Sequence, residues 1–163
     1  MSMLERLVER LTELNIKRDQ LITEGMEIFE RSLLTLIRRY PLIQNIHWTQ
    51  YTPHFNDGSP CTFSVGYLYV KIHGINYSVS DHPNNEPLLH ADEYENDNLS
   101  EEEFGKKLTP EQIIESHPEM CKELLQLQNT LQVLQDVVYE QFGDHKAVTV
   151  DRDGVSTEDC EHD

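Results

Sequence analysis

The chain has few cysteines and no long hydrophobic run. Three cysteines, Cys61, Cys121 and Cys160, occur among 163 residues, which is too few and too scattered for the disulfide framework of a small secreted domain. No apolar stretch approaches the roughly 18 to 20 residues of a membrane span, and the charged start of the chain does not resemble a signal peptide. We therefore expect a cytoplasmic protein that binds no membrane.

Basic residues are also scarce. Thirteen Lys and Arg face 30 Asp and Glu, and the formal net charge of −17 argues against direct binding to nucleic acid. The imbalance is confined to one half of the chain, because residues 1–80 carry eight basic and eight acidic side chains, whereas residues 81–163 carry five and 22. Such an acidic surface either keeps the protein soluble or binds a partner protein with a basic surface.

Motifs for catalysis and metal binding are lacking. The sequence contains no Gly-x-Ser-x-Gly elbow, no phosphate-binding Gly-rich loop and no His-Glu-x-x-His. The acidic turn that begins at Asp151 has its glycine at the fourth position, where a calcium loop has it at the sixth, and Cys160 and His162 lack a second Cys/His pair. His82 and His90 fall in a segment that we expect to be weakly structured. We therefore expect a non-enzyme without metal or cofactor.

Residues 4–40 have the periodicity of one long helix that ends before Pro41. Apolar residues repeat every seven positions in three interlocking series: Leu7, Leu14, Leu21, Ile28; Ile22, Phe29, Leu36; and Met26, Leu33, Tyr40. A helix of this size is about 55 Å long, too long for a small domain to cover. We expect Gly25 to divide a protruding half from a packed half in which Phe29, Leu33 and Leu36 are core or interface.

A second helical segment spans residues 109–143. Thr109 and Gln112 form a capping box around Pro110, Pro118 interrupts the pattern, and Gly143 ends it. The longer part of this segment, after Pro118, has heptad repeats of its own. Two heptad helices in one chain predict an antiparallel hairpin or a coiled coil between chains, and thus a possible homo-oligomer through the long helices.

Strand patterns fill the remaining segments. Residues 44–51, 62–72 and 75–79 read as a meander with a turn at 55–60, and residues 147–155 read as a strand and tight turn. The fold class is thus α+β, with a long antiparallel helical pair packed on a small antiparallel sheet of about three to five strands. We expect one domain over 1–163, made of a long helix (1–40), a β-meander (44–80), an acidic loop expected to be mobile (81–107), a helix (109–143), and a β-strand, turn and acidic tail (146–163).

One stretch resembles a known group of proteins. Residues 48–65, Trp-Thr-Gln-Tyr-Thr-Pro-His-Phe-Asn-Asp-Gly-Ser-Pro-Cys-Thr-Phe-Ser-Val, look like a signature of small, mostly uncharacterised proteins of tailed bacteriophages and their bacterial relatives, and residues 142–154 resemble the close of such proteins. The resemblance implies a viral accessory protein of the host cytoplasm, but no catalytic residues. Proteins of this kind bind and redirect host machinery or act against host defences.

Three functions are compatible with these features. The first is a non-enzymatic accessory protein that acts by protein–protein interaction, as an acidic nucleic-acid mimic that inhibits a host nucleic-acid-handling or defence enzyme. Its candidate partner-binding residues are Asp92, Glu93, Glu101, Glu102 and Glu103.

The second function is binding or sequestering of a small ligand such as a nucleotide signal, in a pocket at the 48–58 hairpin. Its candidate residues are Trp48, Tyr51, His54 and Asp57, although the same residues also suit a core and a turn. The third function is that of a structural oligomeric accessory subunit, in which the long first helix exists for self-association.

Overall fold

A single sheet organises the fold. The computed structural model describes residues 2–53, 58, 61–91, 96, 100, 102 and 107–160. In chain order the elements are α1 (Met3–Arg39), β1 (Ile43–Tyr51), β2 (Ser64–Val65), β3 (Tyr69–Ile72), β4 (Ile75–Asp81), β5 (Pro87–Ala91), α2 (Pro110–Ser116), α3 (Pro118–Val133), α4 (Gln135–Phe142), β6 (Lys146–Asp151) and β7 (Gly154–Asp159).

The sheet is antiparallel throughout, and β1 lies at its centre. The strand order is β5-β4-β3-β1-β6-β7, and the short β2 also pairs with β1. Strand β1 pairs Ile46 with Val70 of β3 and Trp48 with Val148 of β6. Because side chains alternate along a strand, these apolar residues lie on one face, and the helices cover that face.

Helix α1 has two halves with different surroundings. A capping box between Ser2 and Glu5 starts the helix, and Tyr40 ends it before Pro41. Buried side chains begin only at Phe29, and every residue from Met3 to Leu21 is exposed. The division falls near Gly25, as predicted, where an added Cβ would lie 3.7 Å from Val137. The first half, residues 3–24, therefore extends about 33 Å beyond the packed half.

The second helical segment is divided twice. The predicted interruption at His117 separates α2 from α3, and Thr109 and Gln112 form the predicted capping box. A further break at Leu134, with φ −95° and ψ 29°, separates α3 from α4. The sequence has neither Gly nor Pro there, so this break is not predictable from local signals. As a result α1 packs on the short α4 and not along one continuous antiparallel helix.

The sheet is larger than predicted. The α+β class is confirmed, but the described residues form seven strands where about three to five are expected. One unexpected strand, β5, lies within 81–107, the segment predicted to be a mobile acidic loop. Leu89 of β5 is buried opposite Val79, so the alternation of apolar residues there outweighs the acidic composition around it. The acidic residues of that segment lie mostly outside the described residues.

A buried glutamine joins the sheet to the helices. Gln50 is fully buried, and its Oε1 accepts a hydrogen bond of 3.0 Å from Nε1 of Trp48. Its Nε2 donates to the carbonyl oxygens of Val138, at 3.0 Å, and Gly143, at 2.7 Å. The side chain thus satisfies three polar groups, of which the carbonyl of Val138 lies within α4 and the carbonyl of Gly143 follows directly after it.

Removal of these hydrogen bonds should destabilise the fold. Because Q50L leaves a buried indole N–H, the buried carbonyl of Val138 and the partly buried carbonyl of Gly143 without that partner, we expect the free energy of unfolding to fall by about 2 to 4 kcal/mol. Urea unfolding followed by the fluorescence of Trp48 measures this change. The matched control Q20L, at an exposed position of α1, should change the free energy by less than about 0.5 kcal/mol. Equal stability of the two variants would contradict the role of Gln50.

Candidate functional site

The protruding half of α1 carries an exposed apolar face. Its large side chains recur at intervals of three and four residues, and Arg18 and Gly25 occupy the two remaining places. We call this set the α1 stripe: Leu4 (69% exposed), Leu7 (53%), Leu11 (51%), Leu14 (44%), Leu21 (67%) and Ile28 (53%). Apolar residues exposed singly are ordinary on a protein surface, but a row of six along one helix face, interrupted only at Arg18 and Gly25, is a candidate interaction surface.

The heptad series of α1 differ in their surroundings, because some face the core and others are exposed. The series that contain Phe29 and Leu33 face the core, whereas the series Leu7, Leu14, Leu21, Ile28 is exposed. The stripe also contains Leu4 and Leu11, which form a further heptad series interrupted at Arg18. The spacing of three and four residues between Leu4, Leu7 and Leu11 was the signal that could have identified the stripe from the sequence.

A groove continues from the stripe between α1 and α3. It has a volume of about 630 Å³, and we call it the α1–α3 groove. Its lining includes apolar side chains and hydroxyl groups: Ile28, Phe29, Leu36, Leu127 and Leu134, with Ser32, Thr35 and Thr130. At one end Arg39 of α1 forms an ion pair with Glu123 of α3. An apolar floor with a polar rim has the chemistry of a groove that accepts a helix.

The predicted ligand pocket is not assembled around Trp48. This ring is 1% exposed and packs edge-on between Phe29, at 6.2 Å between ring centroids, and Phe142, at 5.9 Å. Tyr51 lies three residues further along the same strand, on the opposite face of the sheet. The other two candidates, His54 and Asp57, lie outside the described residues. Trp48 and Tyr51 therefore do not line one site.

Of the five acidic residues predicted to bind a partner, one lies among the residues that the structure describes. Glu102 is exposed, whereas Asp92, Glu93, Glu101 and Glu103 lie outside the described residues. Other acidic side chains of the second half are exposed on described elements: Glu111 and Glu115 on α2, Glu119 on α3, Asp136 and Glu140 on α4, and Glu158 and Asp159 on β7. Lys146 forms an ion pair with Asp159, and Lys122 lies 3.8 Å from Glu119. The acidic surface thus extends over the helices and the last strand.

The sheet face opposite the helices carries polar and aromatic side chains. The register aligns a row across six strands: His90, Ser78, Tyr69, His47, Thr149 and Ser156. At the centre of the row His47 stacks on Tyr69, with 5.3 Å between ring centroids and 10° between planes. Burial, and then the positive charge of Lys71, hold the pKa of His47 below its ordinary value.

Neither a metal-binding cluster nor a membrane-spanning helix is found in the part of the chain that the structure describes. Within the described ranges, no three His, Cys, Asp or Glu side chains are arranged to hold a metal ion. No described helix combines the length and apolar character that a membrane span needs. Among the described residues, the α1 stripe with the α1–α3 groove is therefore the strongest candidate site.

Comparisons of the chain with protein-family models, with curated proteins and with solved structures found no match. The resemblance to phage proteins therefore stays a prediction.

The lowered pKa of His47 predicts a pH dependence of stability. The unfolded chain protonates this histidine near pH 6.5, whereas the folded chain protonates it only at lower pH. The unfolded state therefore binds more protons in that window, and stability falls as the pH falls below about 6.5. Urea unfolding at pH 7.5 and 5.5 should show a smaller decrease for H47Q than for the wild-type protein. The variant H90Q, which removes an exposed histidine of the same row, should keep the wild-type decrease; an unchanged H47Q would contradict the assignment.

Proposed function

We propose that the protein is a non-enzymatic accessory subunit that assembles with copies of itself through α1. The observation that carries this proposal is the α1 stripe, a row of leucine side chains that are 44% to 69% exposed along a helix that extends past its own domain. Helices in proteins are stabilised chiefly by packing of an apolar face, and residues 3–21 of α1 are all exposed. A partner helix provides that packing.

Coiled-coil packing suits the pattern of the stripe. Leucines at intervals of three and four residues are the a and d positions of a heptad, and they pack as knobs into holes of a facing helix. The charges of this region also permit self-association, because residues 2–24 carry four basic and five acidic side chains. Two copies can therefore meet here without the repulsion that the acidic second half produces.

A charged substitution in the stripe should abolish self-association. Full burial of one leucine contributes about 1.5 to 3 kcal/mol, and a dimer contains two copies of each position. We therefore expect L14E to raise the dissociation constant by about 100-fold or more, as measured by sedimentation equilibrium over a concentration series.

The chain offers a matched control for this experiment. Ile16 is also apolar and exposed, but it lies on the opposite face of α1. We expect I16E to associate as the wild-type protein does, and the far-ultraviolet circular dichroism of both variants should show that the fold is retained. A wild-type protein that stays monomeric at high concentration, or an equal loss of association in I16E, would overturn the proposal.

A second candidate function is supported by the acidic half of the chain. The exposed carboxylates on α2, α4 and β7 do not belong to α1, so self-association through the α1 stripe does not use them directly. A surface of this charge favours a partner with a basic surface, such as an enzyme that handles nucleic acid in a host cell.

Salt dependence tests the second candidate. If the acidic surface makes the contact, the charge reversals E111K, E115K and E140K together should weaken binding to a basic DNA-binding nuclease, and added salt should weaken binding of the wild-type protein. The reversals E5K, E9K and E13K, which change charge equally on the protruding half of α1, are the control for net charge. Binding that is indifferent to both salt and the first set of reversals would contradict this candidate.

A further inference from the structure

The α1 stripe continues into the α1–α3 groove without a change of spacing. After Leu21 the next places at intervals of four and three residues are Gly25, Ile28, Ser32 and Thr35, and all four line the groove. We propose that the protruding half of α1 from a second copy lies antiparallel in this groove, and that the two copies exchange these halves symmetrically. This inference rests on the proposed self-association and specifies the surface that receives the helix.

The first argument is the size of the side chains. An antiparallel register that aligns Leu11 with Ile28 of the second copy places three leucines against small residues: Leu4 opposite Thr35, Leu7 opposite Ser32, and Leu14 opposite Gly25. At the centre of the pair, the same register places Arg18 opposite Leu21. A parallel pair in register would align leucine with leucine and Gly25, Ser32 and Thr35 with themselves. That arrangement would leave the groove underfilled, whereas protein interfaces pack as densely as interiors.

The second argument is the charge beside the seam. The same register brings Lys17 close to Glu24 of the second copy, and symmetry forms this pair twice. It also brings Arg10 near Arg31, but Arg10 already forms an ion pair of 3.2 Å with Glu13 of its own helix. The Lys17–Glu24 pairs therefore favour this register, and substitutions at these two positions can test it.

The third argument is the separation of the acidic halves. In the antiparallel register, Leu33 of one copy and Leu33 of the other lie about 40 Å apart along the helix axis. This distance is several times the Debye length of about 8 Å at physiological ionic strength. A parallel pair would bring both acidic domains to the same end of the assembly, where their repulsion is strongest.

Cysteine cross-linking measures the direction and register of the helices. The single variants L7C and S32C are prepared with C61S and C160S, while Cys121 stays because burial raises the pKa of its thiol to about 11 and keeps it unreactive. Oxidation of an equimolar mixture should give a disulfide-linked dimer of L7C with S32C. Each variant alone should stay unlinked, because equivalent positions lie far apart in an antiparallel pair.

A charge exchange tests the register independently. K17E alone and E24K alone each make both 17–24 pairs like-charged, so each variant should dimerise about 10-fold more weakly than the wild-type protein. In a mixture of the two variants both pairs regain opposite charges. Native mass spectrometry should therefore show heterodimers well above the statistical half of all dimers.

The outcomes separate this inference from the proposed function. Cross-linking of L7C to itself would reveal a parallel seam, and association without either the 7–32 cross-link or the heterodimer preference would place the contact elsewhere. Both results would overturn docking in the groove and leave self-association intact. A wild-type protein that sediments as a monomer would overturn the proposed function as well.

Discussion

The apolar face of α1 extends about 55 Å, but the sheet and its helices cover only the second half of that length. Over the covered half, Phe29 and Leu33 pack into the core, and Phe29 contacts Trp48 of the central strand. This contact fixes the helix on the sheet and determines which side of α1 faces inward. The protruding half continues as a regular helix. The packing of Phe29 and Leu33, some 15 positions further along, therefore determines which way the α1 stripe faces.

The buried polar groups reinforce the same junction. Gln50 connects Trp48 to one carbonyl group within α4 and to another directly after it, and α4 is the helix on which α1 packs. Unsatisfied polar groups at this depth are costly, so the network holds α4 in one position relative to β1. The rigid junction has a consequence for association, because a helix that is held firmly at one end loses little conformational entropy when a partner covers the other.

Much of the fold was predictable because its signals are local. The heptad series indicate the extent of α1, the capping boxes at Ser2 and Thr109 mark helix starts, and Pro118 marks an interruption. The break at Leu134 and the strand at Leu89 were not predictable, because tertiary packing determines both and acidic neighbours conceal the apolar alternation of β5.

The candidate site was less predictable for a different reason. All heptad series of α1 have the same spacing, and only the folded structure shows that Phe29 is covered while Leu14 is not. The separation of Trp48 from Tyr51, by contrast, could have been derived from the sequence. Residues three apart on a strand point to opposite faces, so the predicted strand 44–51 already conflicted with a pocket that uses both rings.

The distribution of charge relates the two proposed surfaces to each other. The acidic excess lies entirely in residues 81–163, whereas the protruding half of α1 is nearly balanced. If the acid were spread evenly, self-association through any face would bring like charges together, and a strong partner-binding surface would oppose oligomerisation. In the proposed dimer, segregation lessens this conflict, because the half-helix that each copy inserts is nearly balanced, and only the α3 side of the groove that receives it belongs to the acidic half. A dimer of this form would present two acidic surfaces on one rigid body, and a basic partner with two matching sites would bind it more tightly than it binds either surface alone.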